Sequence, residues 1–198
     1  MGEWVLFDYG GVLCRDQSAE DRRTIEAVVG VDDPDGFWAA YWRLRRPYDE
    51  GRLTAADYWN EAVGRDVADR LDAIEAVDVA SWSHPYDETL ELVVRLARAG
   101  TRLALLSNCP LSMADAIDQM SWTDLIKDRF YSARLGLTKP DPAVYRAVLA
   151  AIGAEPGDVT FVDDRPPNVT AAAEVGLRAL LFTDPATLAA DLDLQGDA

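Results

Sequence analysis

A chain of 198 residues, 49% apolar and 27% charged, is long enough for one domain with an insertion and apolar enough for a packed core. Thirteen glycines and ten prolines are an ordinary share, which excludes collagen-like, low-complexity and largely disordered classes. Nineteen Lys and Arg against 35 Asp and Glu leave a formal charge of −16, and a surface that negative repels phosphate backbones and anionic lipid.

Nucleic acid and membrane are therefore not expected as partners. No apolar run approaches the ~18 residues that span a bilayer, and the first residues lack a basic n-region and a long apolar run. Leu6 stands where a myristoylation signal wants Ser or Thr, so a cytoplasmic protein is expected. Two cysteines, Cys14 and Cys109, are too few for a disulfide scaffold or a four-cysteine zinc site. The single histidine, His84, removes most triad chemistry and any multi-histidine metal site.

Along the chain, Trp4-Val5-Leu6-Phe7 reads as a buried strand stopped by Asp8-Tyr9-Gly10-Gly11. Residues 15–84 carry helical periodicity and many aromatics, with no convincing strand; three or four short amphipathic helices are predicted there. A helix over 89–99 ends at Gly100, and Arg102–Leu106 follows as a strand running into Ser107-Asn108. Beyond it are predicted a helix over about 111–120, a short strand near Phe130–Ser132 and a helix opened by Asp141-Pro142 and closed by Gly153. Strand 159–162 ends at Asp163-Asp164, then come a helix to Val175, strand Arg178–Phe182 and a last helix from Asp184-Pro185. Alternating strands and helices build a parallel sheet covered on both faces, giving a three-layer Rossmann-like α/β core. The expected division is core 1–14 plus 85–198 and an all-helical insertion at 15–84.

Three strands end in polar residues: Asp8, Ser107 and Asp163-Asp164. At the carboxyl edge of a parallel sheet these gather at one rim, although they are distant in sequence. Any one such ending is ordinary loop chemistry; a carboxylate, a hydroxyl and paired carboxylates together point to a site.

The sequence resembles the haloacid dehalogenase-like hydrolase superfamily. The resemblance lies in Val5–Leu13 (VLFDYGGVL), Leu106-Ser107-Asn108, Gly136–Pro142 (GLTKPDP) and Phe161–Asn168 (FVDDRPPN), in the family's order, with 15–84 matching its small helical cap. The resemblance implies Asp8 as the nucleophile of a phosphatase, passing through an aspartyl phosphate. It implies Ser107 as donor to a phosphoryl oxygen, Asn108 as the residue fixing that loop, and Lys139 as the cation neutralising nucleophile and phosphate. Mg²⁺ is the implied cofactor, on Asp8, the Gly10 carbonyl and Asp164, with Asp163 and Asn168 in support. A carboxylate attacking an anionic ester needs such positive charge, and Mg²⁺ favours oxygen donors.

One position departs from the pattern. Most of the superfamily's phosphatases carry a second Asp two residues after the nucleophile, as general acid; here it is Gly10. The carbonyl needed for metal survives in glycine, while the acid–base step loses a group worth roughly 100- to 10,000-fold. The expected activity is Mg-dependent hydrolysis of a small phosphorylated metabolite, with a sugar phosphate as the leading case. Two alternatives stay open: a weakened member that binds a phosphorylated ligand or a protein, and a metal-free 2-haloacid dehalogenase, against which the Asp163-Asp164 pair argues. In the insertion, Arg43, Arg45 and Arg46 either grip substrate, with Arg46 the chosen candidate, or pair with acids such as Asp49 and Glu50. The aromatics there are expected as helix packing, His84 as structural and Cys109 as a small buried residue.

Overall fold

The computed structural model describes residues 4–194; the outermost residues of the expected core, 1–3 and 195–198, lie outside them. Trp4–Phe7 (β1), Arg102–Ser107 (β2), Asp128–Tyr131 (β3), Val159–Asp163 (β4) and Arg178–Leu181 (β5) form one sheet in the order β3-β2-β1-β4-β5. All its pairings are parallel.

Successive side chains of a strand point to opposite faces, and here both faces are apolar. Val5, Phe7, Leu103 and Leu105 pack against Asp87–Arg98 (α5), Leu111–Ile117 (α6) and Pro185–Asp191 (α10), through Leu92, Val93, Leu96, Ile117 and Leu188. Trp4, Leu6, Ala104 and Leu106 face the other way, onto Val144, Tyr145 and Val148 of Pro142–Ile152 (α8) and Ala172 of Pro166–Val175 (α9). The three-layer α/β reading is thus borne out. The helix expected over 111–120 stops earlier, because Met120 takes extended backbone (ψ 136°) before a tight 3₁₀ turn at Ser121–Leu125.

Between β1 and α5 the chain forms Ala19–Val29 (α1), Pro34–Asp49 (α2), Ala55–Val63 (α3) and Leu71–Ser81 (α4). Ser18 and Thr54 each close a capping box at the start of α1 and α3, with Asp21 and Asp57 as reciprocal partners. These four helices enclose their own apolar cluster, in which Tyr41, Tyr58 and Trp59 are wholly buried among Ile25, Phe37 and Ile74. Where the chain leaves and re-enters the sheet layer, its two passes pair: Arg15 N donates to His84 O (2.8 Å) and Tyr86 N to Leu13 O (2.9 Å). The end of α2 is clipped to the sheet layer at Ser132–Leu135 (α7), where Ser132 Oγ donates to the Asp49 carbonyl (2.5 Å).

Register sets the site. Phe7 lies level with both Leu105 and Val162, so Asp8 emerges beside Asp163 with Ser107 one step beyond. β1 is also where the strand order reverses, with β2 and β3 on one side and β4 and β5 on the other. A crevice opens at such a switch point, at the carboxyl ends of the strands.

Candidate active site

Asp8, directly after β1, is buried and receives two short contacts on Oδ1: the Tyr9 amide and the Lys139 ammonium, both at 2.6 Å. Lys139 arrives from the loop before α8, and its Nζ also meets Asp163 Oδ2 at 2.7 Å. Asp163, fully buried at the end of β4, is fixed by Asn168 Nδ2 on both oxygens (3.0 Å each) and by the Arg165 amide (2.8 Å). Asp163 therefore positions the lysine, and Asn168 positions Asp163.

Asn108 ties the second loop to the third. Its Oδ1 accepts from the Lys139 amide and its Nδ2 donates to the Lys139 carbonyl, both at 2.9 Å. Ser107, buried at the end of β2, lines the same cavity as Asp8 and Lys139.

Burial works against the Lys139 charge, but Asp8 and Asp163 outweigh it and hold the ammonium above its ordinary range. The Asp8 carboxyl is pushed well above its usual range, first by burial and then by Asp163 and Asp164, against the pull of Lys139. Asp164 is raised as well, by burial, Asp163 and Asp16. Among the described residues one buried cation faces three carboxylates, whose oxygens lie within 4.8 Å of one another. Asp164 Oδ1 is sealed from solvent with no hydrogen-bond partner. An orphaned carboxylate oxygen beside Asp8, in a cluster short of positive charge, fits a hard divalent cation. Gly11 makes room for this arrangement. A Cβ there would stand 2.6 Å from Asp164 Oδ2, and its φ of +76° disfavours any other residue.

The cavity above measures about 680 Å³ and reaches from Asp8, Ser107, Lys139 and Asp164 to Trp42, Arg45, Arg46, Asp49 and Trp82 of the helical layer and its return. The three arginines expected near one another all pair with acids. Arg43 meets Glu61 (3.1 Å), and Arg45 is buried between Asp49 (2.9 Å) and Asp78 (3.2 Å). Arg46 reaches the cavity wall but is engaged by Glu50 (2.9 Å), which Arg52 and Thr138 also hold. The aromatics divide: Tyr41, Tyr58 and Trp59 are core, while Trp42 and Trp82 line the cavity. The sequence offered no sign of that division, because Trp82 lies outside the helices and their periodicity.

Cys109 lines the cavity and is buried, which pushes its thiol up to about 12; Cys14 is pushed up to about 11. Neither offers a thiolate near neutral pH. His84 lies at the surface against Asp21 (3.0 Å), away from the cavity.

A parallel sheet with a carboxylate nucleophile candidate, a buried lysine and an acidic pair at its switch point defines a class of hydrolase. The family model for haloacid dehalogenase-like hydrolases matches residues 3–176, and the chain belongs to that family. It is 29% identical to a phosphoglycolate phosphatase of Rhodospirillum rubrum over 200 residues, covering 92% of this chain and 80% of the relative. A flavin mononucleotide hydrolase of Arabidopsis thaliana is 35% identical over 106 residues, 54% of this chain and 43% of that protein, so the chain spans under half of that relative's length. A HAD family enzyme of Bacteroides thetaiotaomicron, solved with magnesium and inorganic phosphate, superposes with a TM-score of 0.74 at 22% identity, covering 91% of this chain and 93% of that one. An L-2-haloacid dehalogenase of Xanthobacter autotrophicus shares the fold at TM-score 0.70 and 18% identity, over all of this chain and 85% of its own. No helix among the described residues is long and apolar enough to cross a membrane.

Proposed function

We propose that the protein is a phosphatase: an Mg-dependent hydrolase of phosphoric monoesters on small phosphorylated metabolites, with a sugar phosphate as the leading case. The observation that carries the reading is the Lys139 ammonium set between Asp8 (2.6 Å) and Asp163 (2.7 Å) on a cavity that also holds Ser107 and the unpartnered Asp164. Asp8 attacks phosphorus and becomes an aspartyl phosphate, which water then hydrolyses. Lys139 neutralises the nucleophile and one phosphoryl oxygen, and Ser107 donates to another. Asp163, Asn168 and Asn108 keep Lys139 in place. Asp8, the Gly10 carbonyl and Asp164 would hold Mg²⁺, which when bound supplies positive charge against the anionic ester.

Residues 15–84 are read as a cap domain that closes the cavity. Arg46, at its outer wall, is the proposed cap contact to substrate. The metal-free dehalogenase reading is disfavoured by three carboxylates around one lysine, which without a further cation repel an anionic substrate. The reading of a phospho-ligand or protein binder rests on Gly10 and the acidic surface.

The test is turnover of 4-nitrophenyl phosphate with Mg²⁺ and with chelator, in the wild type and in Asp8→Asn. Loss of a covalent nucleophile costs orders of magnitude. Asp8→Asn activity within about tenfold of wild type would remove Asp8 from the role, and full wild-type activity in chelator would return the dehalogenase reading.

A further inference from the structure

Gly10 removes the usual proton donor, and Trp82 packs beside it. A Cβ at position 10 would lie 3.7 Å from Trp82 Cζ3. Trp82 is held there by its carbonyl, which accepts from Tyr9 OH (2.7 Å) and Cys14 Sγ (3.0 Å), and by its indole N–H on Tyr41 OH (3.3 Å). A donor to the leaving group must come from elsewhere on the wall. Besides Asp8 and Asp164, the carboxylic acids lining the cavity are Asp16, which is exposed, and Asp49, which is buried.

We infer that Asp49, at the end of α2, is the general acid that protonates the leaving-group oxygen; the inference rests on the phosphatase reading. Its place relative to the chemistry is fixed. The Ser132 hydroxyl that donates to the Asp49 carbonyl (2.5 Å) accepts from the Cys109 amide (2.9 Å), two residues beyond Ser107. Arg45 Nε holds Asp49 Oδ1 (2.9 Å), and Oδ2 has no hydrogen-bond partner among the described residues. Burial, with Asp78 on α4 and Glu50 beside it, raises the carboxyl to about 6 against the pull of Arg45, in the range suited to acid and base work near neutral pH. The other titratable groups facing it are Tyr58 on α3, raised by burial, and Cys109 after β2, raised by burial to about 12; both stay neutral there.

In the first step Asp8 oxygen bonds phosphorus, the bond from phosphorus to the leaving oxygen breaks with its electron pair on that oxygen, and the Asp49 proton goes to it. An alcohol and the aspartyl phosphate result, with Asp49 as carboxylate. In the second step water bonds phosphorus, its proton returns to Asp49, and the acyl phosphate bond breaks to restore the Asp8 carboxylate and release phosphate.

The experiment compares wild type with Asp49→Asn on 4-nitrophenyl phosphate, phenyl phosphate and an alkyl phosphate, each with a pH profile of kcat/KM. The nitrophenolate leaves without a proton, and kcat/KM reports the first step alone, so its kcat/KM should change by less than about threefold while that of the alkyl ester should fall about 100-fold or more. The basic limb of the alkyl-ester profile should disappear in the variant. Equal losses of kcat/KM on all three esters, as a structural role would give, or no loss of kcat/KM on the alkyl ester, overturns the assignment. Asp49→Ala gives the same comparison should the Asn variant not fold. If the wild type turns over none of the esters, the phosphatase reading falls and the inference with it.

Discussion

Replacing Asp49 by Asn should make the protein more stable at neutral pH, by an amount the site itself sets. The Asp49 carboxyl stands at about 6 in the folded chain against an ordinary value of 3.8, because burial disfavours its charge. An acid raised by folding lends stability that is fully present below the unfolded value and is lost as pH climbs through the folded one. At 1.36 kcal/mol per unit, the native state gives up about 3 kcal/mol between pH 4 and 7 on account of this residue. Asn carries no charge and is nearly isosteric with the protonated acid, so wild type and variant should match near pH 4 and diverge above it. Arg45 keeps Asp78 at 3.2 Å in either protein. Urea denaturation in chelator at half-unit pH steps, with the m-value checked for constancy, gives the difference curve directly. A curve flat within about 1 kcal/mol, or one favouring wild type at pH 7, would refute the argument. A group that weakens the fold at working pH is most simply explained by what it does in the cavity.

Lys139→Gln leaves Asp8 and Asp163 buried without their cation, and the fold should lose about 3–5 kcal/mol in chelator by the same denaturation assay; a loss under 1 kcal/mol would show that the carboxylates do not depend on it. Asp164→Ala should weaken Mg²⁺ binding by calorimetry and lower the rate together, with excess Mg²⁺ recovering part of it; unchanged affinity removes Asp164 from the metal set. Gly11→Ala adds no charge, yet its Cβ falls 2.6 Å from Asp164 Oδ2, so Mg²⁺ affinity should drop about as far as in Asp164→Ala. Affinity equal to wild type would mean that the loop yields without moving the carboxylate.

The sheet and the residues at its rim were legible because each strand ending carries its own local signal: an apolar run, then a functional side chain. Asp8, Ser107, Asp163 and Asp164 needed only the parallel pairing to bring them together, whereas Lys139, on the loop before α8, was legible only through the family resemblance. The helical layer was legible as helices but not as a surface. Arg45 and Arg46 are adjacent in sequence, yet one is buried between two carboxylates and the other lies at the cavity wall on Glu50. The sequence presents Trp82 only as one more packing aromatic, and Asp49 only as an arginine's partner, for the same reason. Their parts depend on contacts with Gly10 and Ser132, which are 72 and 83 positions away, and no short pattern encodes such a meeting.

The central ladder has a consequence for how such a site can change. Asp8 N donates to Val162 O at 2.8 Å, so the backbone of the proposed nucleophile belongs to the innermost strand pair. Amides there should exchange with deuterium only through global opening, and those in the turns joining α1 to α4 through local opening. On the phosphatase reading, substitutions in α1 to α4 that spare Asp49 should therefore alter what is admitted without disturbing this ladder. New substrates become accessible through changes that leave every reacting atom where it was.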